Sequence, residues 1–268
     1  MENQSVWLGS LKGPVRLLAI GFTVLTFLIL IWMILGHFVS DDPNTMNEMI
    51  RPGGRILPVV MLFTILGSLL FGSIYFSDFR GRIEPEQNGF FDILSLVTSR
   101  MAMFGIALIL ITMFYEVVAR YVFNAPTLWA NELSLWIASV VFLFAGQYAM
   151  QQRSHIRIYV IYDLMPRWMQ KASDVISVFL ICSFTFALIW GGYADAKRRI
   201  LRMETFGTAW DPPIPGTVKT AILVIILLVA IQAVSNLIAD WNKLPEHHTA
   251  ADEIDETEIE DIRKTLES

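Results

Sequence analysis

Glu116, Arg120 and Glu132 carry charge where the chain around them is otherwise suited to lipid, in the stretch EVVARYVFNAPTLWANE between two long apolar runs. Glu116 and Arg120 are four apart, so on one helix the acid lies over the base in the stabilising order. A charge in or near hydrocarbon costs at least ~2–3 kcal/mol, so such residues pair and face a protein interior. The chemistry on offer is mutual neutralisation, with Glu132 as a second acid for Arg120 across the break. Asn124-Ala125-Pro126 ends the helix, because proline lacks a donor and restricts the residue before it. Tyr121 and Trp129 flank that break as interfacial aromatics do. One reading is a membrane-edge turn with a snorkelling arginine. The sharper one is a structural polar hinge of Glu116, Arg120, Asn124, Trp129 and Glu132, which fixes a helix hairpin against a partner.

The elements that must position this hinge are membrane helices. More than half of the residues are hydrophobic and 17% are charged, against about a quarter in a soluble domain. The net charge of −5 comes from the tail after residue 242, with nine acids and three bases; the rest is close to neutral. That balance excludes a nucleic-acid footprint. Apolar runs at Leu17–Phe38, Ile56–Phe76, Asp92–Phe123, Leu128–Met150, Asp174–Tyr193 and Thr217–Ala239 are each long enough to cross a ~30 Å hydrocarbon layer. The third is over-long, which places its start along or beyond the interface. The fold expected is all-α, an integral membrane protein of six transmembrane helices with interfacial amphipathic segments. Residues 1–76 form a two-helix extension, 77–92 a charged linker, 93–241 a four-helix domain, and 242–268 an acidic tail, expected to be disordered.

Other polar groups have lesser roles. Arg153–Lys171 mixes bases with aromatics and aliphatics, which suits the headgroup layer. Ser68 and Gly72 make a small-xxx-small pair, and Ser183, Ala187 and Gly191 recur every four residues as a second packing face. Gln232, Ser235 and Asn236 are placed to bond between helices. Cys182, alone in an apolar run, offers neither a disulfide nor a thiolate metal site. His247-His248 lacks a third ligand, and no paired histidines stand at matching depths for haem. No metal or cofactor is expected, and no nucleophile–base pair or phosphate loop marks an enzyme.

Six spans put both termini on one side, and counting bases makes that side cytoplasmic. Lys197, Arg198, Arg199 and Arg202 then fall on the outer side, against the rule. A basic cluster there has a reason to exist, whether a protein partner or anionic lipid.

Glu116-x-x-x-Arg120-Tyr121-x-Phe123-Asn124, Trp129-x-x-Glu132, then Gly146 and Ala149 before His155-Ile156-Arg157 follow one another between helices of fitting length. With this ordered set, residues 93 to 241 resemble the small four-helix membrane subunit (Q, or DctQ-type) of tripartite ATP-independent periplasmic (TRAP) transporters. Asn131, Leu135 and Tyr159 depart from the family pattern, where an acid, a base and an aspartate are common. The first two spans resemble an N-terminal extension of a longer subclass. The resemblance implies a bacterial inner-membrane complex importing organic acids, typically with sodium. Its partners would be a large elevator-type (M-type) membrane subunit and a periplasmic binding protein. It also implies a scaffold role for this chain and a part in docking the binding protein, with His155 and Arg157 as an interfacial motif; Lys197, Arg198, Arg199 and Arg202 are the candidate docking point, with anionic lipid and the edge of the large subunit as the alternatives. The competing class is a six-helix assembly or anchoring subunit of another membrane complex, without a transport role.

Overall fold

The computed structural model describes residues 5–51, 53–79, 84, 89–152, 162 and 165–242. Among these there are seven α-helices and no strand: α1 (Lys12–Val39), α2 (Met46–Ile50), α3 (Ile56–Ser77), α4 (Phe90–Tyr121), α5 (Ala130–Gln151), α6 (Arg167–Leu201) and α7 (Ile214–Asp240). All but α2 are long and apolar enough to span a membrane. The protein is an all-α, multi-pass membrane protein. The acidic tail, His155 and Arg157 lie outside the described residues.

The spanning helices pack as a row in the order α1, α3, α4, α5, α7, α6, with α7 also touching α4. The two flanks of the row, α1 and α6, are the least buried spans. Close approach depends on glycines at named contacts. A Cβ on Gly67 of α3 would meet the ring of Phe22 at 2.5 Å, and one on Gly105 of α4 would meet Val141 at 2.7 Å. Thr23 and Ser68 bond across α1 and α3 at 2.7 Å.

One helix runs far past the apolar stretch that announces it. α6 has 35 residues, about 52 Å at 1.5 Å per residue, so it projects well beyond a ~30 Å hydrocarbon layer. The over-long third span is one continuous helix whose early turns pack against α5. Ser95, Leu96, Thr98 and Ser99 there are buried, with Ser95 Oγ donating to the Gln147 carbonyl and Thr98 Oγ1 bonding the Gln147 side chain on α5.

Charges sit at helix ends. None occurs between Arg100 and Glu116 in α4, between Glu132 and the end of α5, between Asp174 and Asp195 in α6, or between Lys219 and Asp240 in α7. Six antiparallel spans therefore present two polar faces. One carries the loops 40–55, 122–129 and 202–213, which we call the hinge face. The opposite, terminal face carries both ends of the row's chain and the loop after α3.

Candidate functional site

At the hinge face, α4 ends because Asn124 takes a left-handed conformation, φ 52°, which Asn tolerates better than most residues. The chain turns back so that the Ala125 amide donates to the Ala119 carbonyl, and α5 starts at Ala130. This turn folds over Glu116, which is 3% exposed. One carboxylate oxygen accepts from Arg120 Nε at 2.9 Å and Nη2 at 2.5 Å. The other accepts from the Thr127 amide at 3.0 Å and its hydroxyl at 2.5 Å. Four donors thus surround one buried carboxylate. Trp129 stacks on Tyr115 at 5.7 Å and closes the turn from the side.

The second acid expected for Arg120 is not there. Glu132 makes no hydrogen bond or ion pair to it among the described residues, and its Oε2 is buried without a partner. Position across a loop does not fix which way a side chain points; the further member of the hinge is Thr127, a second donor to Glu116 rather than a second acceptor for Arg120. Thr127 was the residue missed. Its hydroxyl and amide, in the turn after Pro126, donate to a carboxylate eleven residues earlier, a contact that no local spacing announces. Arg120, whose side chain is 43% exposed, is the outward-facing member of the group.

Two further contacts tie the loops 40–55 and 202–213 of this face together. Arg51, in the loop after α2, pairs with Asp211 at 2.7 Å, and Trp210 Nε1 donates to the Met46 carbonyl at 3.1 Å. Trp210 is buried. The amide of Gly207, then Thr205 and Arg51, hold the Asp211 carboxyl below its usual range against the effect of burial. The first two spans are therefore bound to the later ones through loops as well as through the packing of α3 on α4. Between the helices themselves, Trp136 Nε1 donates to Thr217 on α7.

The basic cluster at the end of α6 is divided in two. Asp195 accepts from Arg198, Arg199 and Lys219, and Arg199 also pairs with Glu204. Lys197 and Arg202 make no ion pair among the described residues; Lys197 lies 6.0 Å over the Tyr193 ring. The small face of α6 points away from the rest of the chain: Ser183, Ala187 and Gly191 are exposed. Packing on α7 uses the neighbouring face instead, where Gly192 receives Leu223, and Thr185 and Ala196 are buried. A four-residue period shows which residues share a face but not which neighbour that face meets.

The terminal face holds further polar groups. Asp78, fully buried at the end of α3, accepts at Oδ1 from the amides of Val6, Trp7 and Leu8 at 3.0 Å and from the Ser5 hydroxyl at 2.9 Å. Lys12 Nζ lies 3.0 Å from Oδ2. Burial pushes this carboxyl up, but the Leu8 and Trp7 amides, with Lys12 and Ser5, outweigh it and hold it at about 2. Nearby, Arg100 of α4 donates to both oxygens of Glu84 at 2.7 and 2.9 Å and to the Phe79 carbonyl. Tyr148 of α5 donates to the same glutamate. Gln232 and Asn236 of α7 reach Asp92 and the Met150 carbonyl.

Among the described residues no group of three His, Cys, Asp or Glu side chains is placed to hold a metal. The buried carboxylates Glu116, Asp78 and Glu84 are each met by bases or other donors that fasten helices and loops.

The comparison with curated proteins and the comparison with solved structures each returned no match. The family model "Tripartite ATP-independent periplasmic transporters, DctQ component" matches residues 109–243, just over half of the chain, taking in the hinge, the basic cluster, and all of α5, α6 and α7. The chain belongs to that family, and it is a component of a tripartite ATP-independent periplasmic transporter.

Proposed function

We propose that the chain is the stationary small subunit of a secondary transporter that imports organic acids. A large elevator-type membrane subunit carries the substrate, and a periplasmic binding protein delivers it. The observation that carries this reading is the continuity of all six spans, with their charges confined to the ends. Transport sites at the membrane midplane are built from broken helices, whose exposed ends and carbonyls take up substrate and coupling ion. The described spans here are unbroken. What they supply is area and anchorage: a row of packed helices with aromatic residues at its borders, which favour the headgroup level and resist vertical displacement. An elevator needs such a fixed wall to move against.

In this reading the hinge face looks outward into the periplasm, as the positive-inside count suggests. Its loops, two of them joined through Arg51–Asp211 and Trp210–Met46, then form the floor on which the binding protein rests. Sodium is the coupling ion expected from the family resemblance. The extension adds stationary surface beside α4.

Affinity purification of the full chain from its native membrane tests this assignment. A large membrane protein with many spans should come along in a fixed ratio, and deletion of the chain should abolish uptake of the transported acid. Purification with a membrane complex of another kind, or normal uptake after deletion, would refute it.

A further inference from the structure

We infer that the outer end of α6 holds the phosphodiester headgroup of an anionic phospholipid, in an open groove of about 470 Å³ lined by Tyr193, Ala194, Lys197, Arg198, Leu201 and Arg202. The groove lies on the side of a helix at one flank of the row, so it opens sideways to the bilayer. Below it, towards the middle of the helix, Trp190 and Phe186 stack at 5.9 Å and are strongly exposed; hydrocarbon is the medium that suits them. Tyr193 marks the border. Lys197 follows one turn later, about 6 Å along the axis, which is within the ~5–7 Å that headgroups add to each side of the hydrocarbon core.

Side-chain direction agrees with this depth. In an α-helix each Cα–Cβ bond tilts towards the N-terminus, which for α6 is towards the bilayer. Lys197, Arg198 and Arg202 therefore lean back into the headgroup layer rather than out into the aqueous phase. An acidic soluble protein arriving from above would meet the outer loops before it met these bases. Exposed Leu201 stands one turn beyond Lys197, beside Arg202, a residue that suits a lipid neighbour.

Charge favours an anion. Lys197 and Arg202 have no acidic partner among the described residues, and Arg198 shares Asp195 with Arg199 and Lys219. Arg199 and Lys219 are turned to Asp195, and Arg199 also to Glu204. The two unpaired cations and the partly neutralised Arg198 give a positive site facing the lipid. This also accounts for a basic segment on the face where bases are otherwise few: lipid phosphate supplies its counter-charge.

The test is a titration of the purified full chain in neutral detergent micelles with dansyl-labelled phosphatidylglycerol. Dansyl-labelled phosphatidylcholine serves as the zwitterionic comparison and inorganic phosphate as a competitor. The chain should bind phosphatidylglycerol in preference to phosphatidylcholine. The pair Lys197→Gln and Arg202→Gln should weaken phosphatidylglycerol about 30-fold and remove the preference, as expected for two bases withdrawn from an anionic surface. Arg202→Gln alone should weaken it about fivefold, and the pair Lys197→Arg and Arg202→Lys should keep it. Millimolar inorganic phosphate should fail to displace the label; displacement would identify a free-phosphate site instead. Unchanged phosphatidylglycerol affinity in the double Gln variant would overturn the proposal. If that variant instead lost binding of the periplasmic partner, the cluster would be a protein-docking surface.

Discussion

Glu116 and Asp78 are two buried carboxylates at opposite faces of the same row of helices, and they are satisfied in different ways. Glu116 is held within one hairpin, by an arginine one turn on and a threonine in the adjoining turn. Asp78 is held by three backbone amides, a serine and a lysine that lie 66 to 73 residues earlier in the chain. The first group closes a local turn and so defines the shape of the hinge face. The second clips the start of the chain to the end of α3 and so defines how the extension is fastened. Local closure protects the four-helix domain by itself, whereas the clip protects only what is attached to it.

The sharpest way to break this comparison is to remove each acid and ask how far the damage spreads. Glu116→Ala leaves the Thr127 amide and hydroxyl, and the Arg120 guanidinium, without their acceptor. Lost bonds to a charged group and unsatisfied buried donors together cost about 3 kcal/mol. A lower temperature of unfolding in detergent and a smaller yield of folded protein should both follow. Because the turn between α4 and α5 loses its anchor, proteolysis should open near residues 122–129.

Asp78→Ala should cost about 2 kcal/mol, less than the hinge variant, because the freed segment can move into water and satisfy its own amides. Protease should then cut within residues 5–11 and leave the turn at 122–129 intact. Acid gives the same result without a mutation. The folded carboxyl is held at about 2 against an ordinary value of 3.8, so its stabilising effect is fully present above about pH 4. It is lost as pH falls through about 2, and is again worth about 2 kcal/mol. An unfolding temperature of the wild type that drops between pH 4 and 2 more than that of Asp78→Asn would confirm the assignment.

Arg120→Ala should have the smallest effect, about 1 kcal/mol. Its side chain is 43% exposed, so water screens the pair, and Thr127 continues to hold Glu116. A loss as large as that of Glu116→Ala would mean that the arginine, not the threonine, keeps the turn closed.

The same two acids explain what could be read from the sequence. Six spans and the break at Asn124-Ala125-Pro126 were legible because apolar length and proline act locally. The Glu116–Arg120 pair was legible because four residues is one helical turn. Asp78 was overlooked, although it carries a local warning: an acid at a helix C-terminus is opposed by the helix dipole, so it needs donors from elsewhere. Where those donors come from depends on tertiary folding. For the same reason the period in α6 identified a small face at Ser183, Ala187 and Gly191, while packing inside the chain went to Gly192. Apolar length measures the lipid rather than the helix, which is why α6 is longer than its hydrophobic run.

The central claim is that this chain supports transport without touching the substrate. Uptake by the assembled transporter, measured in competition with a panel of carboxylates, tests it most directly. The proteins to compare are the wild type and variants at Glu116, Gln147, Asn236 and the Ser183–Ala187–Gly191 face. The account predicts lower rates or yields in some variants and the same order of preferred acids in all of them. A variant that still imports well but reverses that order would place these helices in the path of the substrate and contradict the account.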